Sequence, residues 1–128
     1  MVKHVILWQL KDELSAEEKA AVKAGIKEGL ESLSGKIPGL VDIHVNIDAL
    51  PSSNADLMLD TTFESAEALK GYSTHPAHVA VANSKVRPYY KTASVWTTRC
   101  NTAHLRTLRD AILRDGLTQK RVIARFVQ

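Results

Sequence analysis

Four segments of the chain alternate between apolar and polar residues, which is the two-residue period of a strand with one buried face. The first segment carries His4 among apolar residues on its even-numbered face, and Val5 and Leu7 on its other face. Both faces of this strand are therefore partly apolar. The four predicted strands cover residues 2–11, 40–48, 57–63 and 93–98.

The second predicted strand has one apolar face and one polar face. His44 lies on the polar face and is expected at the surface or in a dimer interface. The apolar set is Val41, Ile43, Val45 and Ile47, and the polar set is Asp42, His44, Asn46 and Asp48.

A period of 3.6 residues predicts a long helix after the first strand. Ser15 and Glu18 have the spacing of a capping box, and the helix is expected to end near Gly35. Gly25 and Gly29 lower its intrinsic stability by roughly 1 kcal/mol each relative to alanine, so they are expected to permit close packing against a sheet.

Two shorter helical segments are predicted between the third and fourth strands. Ser65 is expected to cap the first, which runs to about Tyr72. Pro76 fits the first turn of the second, where its missing N–H costs nothing, and Arg87-Pro88 ends that helix.

The predicted order is strand, helix, strand, strand, broken helix and strand. This order is typical of an α+β, ferredoxin-like βαββαβ sandwich with helices on one face of the sheet. The other face needs a cover, because the first strand is apolar on both sides. The simplest cover is the same face of a second copy, so the sequence predicts a homodimeric α/β barrel.

The composition favours one globular domain in residues 1–99. The chain has 128 residues and is 45% hydrophobic, which suffices for a modest core. Its single cysteine, Cys100, excludes an intramolecular disulfide and fits a reducing compartment. The apolar run at the N-terminus is short and has no small-residue cleavage site, so a cytoplasmic location without membrane association is expected.

The charge balance changes near residue 100. Residues 1–99 hold 11 Lys and Arg against 12 Asp and Glu, whereas residues 100–128 hold 6 against 2. This basic extension is expected to form an amphipathic helix at 103–114 and an extended arm at 118–127, packed on its own body or on a dimer mate. Its abrupt composition is also what translational read-through or a vector-derived extension gives. Because aromatic residues are not interleaved with its arginines, nucleic-acid binding is not expected.

The segment Tyr72-Ser73-Thr74-His75-Pro76-Ala77-His78 holds the strongest candidate chemistry. It brings one phenol and two imidazoles together in a short stretch around a proline. Histidine can act as a base near neutrality because its ordinary pKa is about 6.5. A structural alternative stays open, with Tyr72 in the core, His75 at the start of a helix and His78 at the surface.

Other aromatic and imidazole side chains have packing alternatives as well. His4 lies between Val2 and Ile6 on its strand face, so a hydrogen-bonded core histidine is as good an interpretation as a pocket group. Trp8 and Trp96 are expected chiefly as core aromatics, and either could line an apolar pocket.

Together these residues resemble the stress-responsive A/B barrel domain family of small dimeric α+β barrels. The similarity covers about residues 2–98 and rests on four stretches of the chain. They are Lys3-His4-Val5-Ile6-Leu7-Trp8, Lys36-Ile37-Pro38-Gly39-Leu40, Thr62-Phe63-Glu64-Ser65 and Tyr72 with His75-Pro76-Ala77-His78. The resemblance implies a fold more than a function, since most bacterial members have no assigned activity.

The tyrosine and histidine stretch is similar to that of the olivetolic acid cyclase-type branch of this family. That resemblance implies that Tyr72 polarises a carbonyl and that His78 removes an acidic proton between two carbonyls, as in an intramolecular aldol condensation. His4 matches another pocket histidine of the branch, and Leu57 stands where the branch has a third. The implied catalytic residues are His78, Tyr72 and His4, and the implied binding residues are Trp8, Leu57 and His75.

Two classes of function are predicted on these grounds. One is a cofactor-independent acid/base enzyme, cyclase-like or isomerase-like, that acts on a small apolar or keto-type ligand. The other is a non-catalytic ligand-binding or structural dimer in which the same residues only pack. The sequence has no phosphate loop, dinucleotide fingerprint or nucleophile elbow, so no cofactor is expected. His75 and His78 are three residues apart, but two imidazoles fall short of a zinc site, so no metal is expected either.

Overall fold

The computed structural model describes residues 1–100, and within them four strands form one antiparallel sheet in the order β2-β3-β1-β4. Helices pack on one face of this sheet, which confirms the predicted ferredoxin-like α+β fold. The elements are β1 (Val2–Leu10), α1 (Ala16–Glu31), β2 (Leu40–Asn46), β3 (Leu57–Phe63), α2 (Ala66–Thr74), α3 (Pro76–Val81), a π-helical turn (Ala82–Val86) and β4 (Tyr90–Arg99). The predicted helix at 103–114 and arm at 118–127 lie outside the described residues. None of the helices within residues 1–100 is long and apolar enough to cross a membrane.

Strand β1 is central because it pairs with β3 on one side and with β4 on the other. Its register places His4 opposite Thr61 of β3 and Thr97 of β4. The even-numbered residues of β1 face the helices, and Trp8 and Leu10 are buried there. His4 therefore points toward the helices from the middle of the sheet.

Strand β2 departs from the predicted alternation at Val41. The register with β3 shifts between Leu40 and Asp42, so Val41 lies in an irregularity of the ladder. Its side chain is 47% exposed, whereas Ile43 and Val45 are buried. The predicted placement of Val41 on the apolar face was wrong, because the extra residue lets Leu40 pack on the core instead.

Helix α1 begins with the predicted capping box. Ser15 Oγ accepts a hydrogen bond from the Glu18 amide at 3.1 Å, and the Glu18 carboxylate accepts one from the Ser15 amide. The expected role of its glycines needs correction, because a Cβ at Gly29 would lie 2.9 Å from Val81 Cγ1 of α3. The close approach that Gly29 permits is therefore to another helix and not to the sheet.

The segment between β3 and β4 holds the predicted break at Pro76. Ser65 caps α2, and Pro76 occupies the first turn of α3. The sequence predicts a regular helix from there to Arg87, but its second half is a π-helical turn. The Arg87 amide donates to the carbonyl of Ala82, five residues back, at 2.9 Å.

The face of the sheet that carries no helices is open to solvent. Trp96 of β4 is 67% exposed and Leu7 of β1 is exposed as well. The prediction that Trp96 is a core aromatic was wrong, because Trp96 lies opposite Val5 and so shares the face that the helices leave uncovered. Strand β4 is exposed along nearly its whole length, Tyr90 excepted.

Candidate active site

A cavity of about 300 Å³ lies between the helices and the sheet, and its wall includes residues of the exposed strand β4. Apolar side chains from β1, β3, β4 and α1 form most of its wall. Its polar lining comes mainly from His4, Tyr72, Ser73, His78 and Arg87. A mostly apolar cavity with a few converging polar groups is the usual form of a small-molecule site.

Tyr72 lies near the end of α2, and its hydroxyl is the orphaned polar group of the site. The residue is 2% exposed, and its ring packs on Phe63 at 5.0 Å and on the His78 ring at 4.2 Å between centroids. The buried hydroxyl has no hydrogen-bond partner among the described residues. Burial raises the pKa of Tyr72 to about 12, so this group is a protonated donor at neutral pH.

His78 lies in α3, two residues after Pro76, and its tautomer is fixed locally. Its Nδ1 lies 3.3 Å from the Ser73 carbonyl oxygen. A carbonyl only accepts hydrogen bonds, so Nδ1 carries the proton and Nε2 keeps a lone pair. Burial lowers the pKa of His78, and the charges of Arg87 and His75 lower it further against the raising effect of the Ser73 carbonyl. The imidazole is therefore neutral at neutral pH and can accept a proton at Nε2.

His4 contributes the third polar group from the centre of the sheet. Its Nδ1 lies 2.8 Å from Thr97 Oγ1, and its backbone carbonyl accepts a hydrogen bond from Thr61 Oγ1 at 2.6 Å. Burial, followed by the charge of His78, lowers the pKa of His4. His4 and His78 are thus electrostatically coupled across one cavity, although they are far apart in the sequence.

The cavity wall includes four of the six residues predicted for a site. His4, Trp8, Tyr72 and His78 line it, but Leu57 and His75 do not. Leu57 is 3% exposed in the core beside this wall. His75 Nδ1 accepts a hydrogen bond from the Ala77 amide at 3.1 Å and so caps α3. In this structure Leu57 packs in the core and His75 caps α3, and their predicted binding roles stay predictions.

Several features of the wall were not predicted as parts of a site, among them Tyr90 of β4. Arg87 was interpreted only as the end of a helix, yet it lines the cavity. The Ser73 carbonyl orients His78 through a contact between residues five apart in the sequence.

No group of three or more His, Cys, Asp or Glu side chains within residues 1–100 could hold a metal ion.

Comparisons with known proteins agree on the family and the fold. The family model described as the stress responsive A/B barrel domain matches residues 2–96. A dimeric protein of unknown function with a ferredoxin-like fold from Bacteroides fragilis is 29% identical, with a TM-score of 0.73 over 77% of this chain and 95% of that chain. A protein from Arabidopsis thaliana is 27% identical, with a TM-score of 0.61 over 80% and 97%.

An enzyme also shares the fold. The hydroxynitrile lyase from Passiflora edulis is 18% identical, with a TM-score of 0.60 over 79% of this chain and 94% of that chain. At that identity the likeness extends to the fold alone. The curated proteins include no match to this chain.

Proposed function

This chain belongs to the stress-responsive A/B barrel domain family, and on that premise we propose that it is a cofactor-independent acid/base enzyme. Its ligand is a small keto-type molecule held in the cavity between the sheet and the helices. Tyr72 polarises a carbonyl, and His78 removes a proton from the neighbouring carbon. The reaction is cyclase-like or isomerase-like.

The pairing of Tyr72 with His78 carries the proposal. A buried hydroxyl without a partner is costly, and a ligand oxygen in the cavity would accept its hydrogen bond. The His78 ring packs against the Tyr72 ring. The hydrogen bond from His78 Nδ1 to the Ser73 carbonyl leaves Nε2 as the base. A donor and a base on the same cavity wall are the two groups that enolisation requires.

The proposed step balances within the ligand and the two side chains. The C–H bond breaks, its proton moves to His78 Nε2, and its electron pair enters the enolate. The enolate oxygen accepts the hydrogen bond from the Tyr72 hydroxyl. Return of the proton to another carbon gives isomerisation. Attack of the enolate carbon on a second carbonyl of the same molecule gives cyclisation, and the alkoxide formed from that carbonyl takes the proton back from His78 Nε2.

The test is deuterium uptake from D₂O into the methylene of acetylacetone, followed by proton NMR. His78→Ala should lower the rate above the buffer background by about 100-fold or more, since a positioned base contributes at least that much. His44→Ala is the matched control, because His44 is exposed and pairs with Asp42 away from the cavity. Its rate should equal that of the wild type.

Equal rates for the two variants, or no wild-type rate above background, would refute acid/base chemistry on such ligands. Circular dichroism of both variants checks that the fold is retained. Binding of acetylacetone without exchange would favour the alternative of a non-catalytic ligand-binding protein.

We also propose that the chain forms a homodimer through the open face of its sheet. Trp96 and Leu7 are exposed on that face, and β4 lies at the sheet edge with little cover. Exposed apolar groups clustered on one face are typical of an interface. The Bacteroides fragilis protein, which is described as dimeric, supports the same assembly.

A further inference from the structure

The charge of the cavity wall is one-sided. Among the residues that line it, Arg87 is the only one with a side chain of fixed charge. Burial lowers the pKa of His4 and of His78, which keeps both imidazoles uncharged, and no aspartate or glutamate of the described residues contributes to the wall. A ligand in this cavity therefore meets a positive field without a compensating carboxylate.

Arg87 is also unpaired within the described part of the chain. Its Nη1 donates to the side-chain oxygen of Asn83, but no carboxylate of residues 1–100 forms an ion pair with it. A guanidinium has five N–H donors in a planar fork, so donors remain for a ligand.

Arg87 directly follows the π-helical turn and lies in the wall. Its i to i+5 hydrogen bond joins Ala82 and Arg87 at 2.9 Å, so these two residues lie one above the other on the same side of the turn. Ala82 and Arg87 both line the cavity, together with Val86. In a regular α-helix the residue stacked on Ala82 would be Val86, four positions later. Such turns occur often at functional sites.

We propose that Arg87 binds a carboxylate of the ligand, which makes the ligand class a small keto acid. The keto part of this assignment rests on the proposed function, whereas the carboxylate part rests on Arg87. A carboxylate matches the planar fork of one guanidinium. A phosphate group usually engages several donors, such as a lysine or a glycine-rich loop, and the wall contains neither.

The carboxylate has a consequence for the base. The charge of Arg87 is one cause of the low pKa of His78. A bound carboxylate would offset that charge, so it would raise the pKa of His78 and make Nε2 a stronger base only when the correct ligand is present.

The test compares binding of succinylacetone, a linear diketone acid, with binding of its methyl ester by titration calorimetry at about pH 8, where ordinary histidines are neutral. The wild type should bind the acid about tenfold or more tightly, as expected for a charge-assisted pair. Arg87→Met should reduce this ratio toward one. Lys85→Met is the matched control, since it removes a neighbouring exposed cation that does not line the cavity, and it should keep the wild-type ratio.

Equal or undetectable binding of both probes by the wild type, or an unchanged ratio in Arg87→Met, would overturn the carboxylate site. The acetylacetone exchange assay keeps the two proposals apart, because that probe has no carboxylate. If acetylacetone exchange does not depend on His78 but the ratio of acid to ester affinity depends on Arg87, the acid/base function alone is refuted. Exchange that depends on His78, with no acid preference, would refute the Arg87 assignment alone.

Discussion

Replacing Tyr72 with phenylalanine should make the protein more stable and less active. The Tyr72 side chain is buried and its hydroxyl has no partner among the described residues, and burying such a group costs about 1–3 kcal/mol. Phenylalanine keeps the ring contacts with Phe63 and His78, and it leaves only a small gap in place of the oxygen. We expect a net gain of about 1 kcal/mol in the free energy of unfolding, which raises Tm by about 4–8 °C in a domain of this size class.

The activity should move in the opposite direction. If the hydroxyl stabilises a developing enolate, its removal should lower the rate of acetylacetone exchange by about 100-fold or more. Such an exchange of stability for activity is typical of a site residue and is not expected of a packing residue.

Urea unfolding of the wild type and Tyr72→Phe, with the slope m compared as well as the midpoint, measures the first effect. Tyr89→Phe is the matched control, because Tyr89 is half-buried outside the cavity and its change should stay within about 0.5 kcal/mol. Lower stability of Tyr72→Phe would mean that its hydroxyl bonds within the fold, and the reasoning would then fail.

Four further results are expected. The exchange rate should fall as pH drops through the pKa of His78, which lies below 6.5, because only the neutral imidazole is a base; an inflection above 6.5 in the free protein would contradict this assignment. The same depressed pKa makes folding less favourable as pH falls below 6.5, since the unfolded chain binds the proton first. His78→Gln should reduce the dependence of the urea midpoint on pH in that window, and the remainder comes from His4, whose pKa is lowered as well. Gly39→Ala should destabilise the fold by about 2 kcal/mol or more, because φ of Gly39 is +80° and the new Cβ would clash with Ala68 Cβ. Gly71→Ala should stabilise the fold by about 0.5–1 kcal/mol, because no atom of the described residues lies in contact with its new Cβ. Calorimetric melting compares the two variants. Trp96→Lys should shift sedimentation from dimer to monomer, and Leu50→Lys, in an exposed loop, should not; a dimer in both would exclude the open face as the interface.

The elements that follow local signals could be predicted from the sequence. The alternation in β1 and β3, the Ser15 cap and Pro76 all depend on the chemistry of adjacent residues, and each appears where it was expected. The sheet order followed from the element order, because few topologies connect these elements without a crossing.

Two of the errors lie where the backbone has two hydrogen-bond patterns of similar local energy. Val41 fits either a regular strand or a bulge, and packing of Leu40 on the core favours the bulge. Residues 82–86 could form α-helical or π-helical turns, and no residue type among them distinguishes the two. Trp96 was misplaced for another reason, since a tryptophan on the exposed face of a sheet and a core tryptophan occupy the same alternating pattern.

The site divides in the same way between local and long-range determinants. The relation of Tyr72 to His78 is local, because Pro76 starts a new helix and the Ser73 carbonyl lies within reach of His78 Nδ1. His4 reaches the same cavity only through the register of β1 with its neighbours, which no short motif encodes. Arg87 lines the cavity from the end of the π-helical turn. The segment that carries the proposed chemistry was therefore predictable, whereas the group proposed to select the ligand was not, because its approach to the cavity depends on how the turn packs in the tertiary structure.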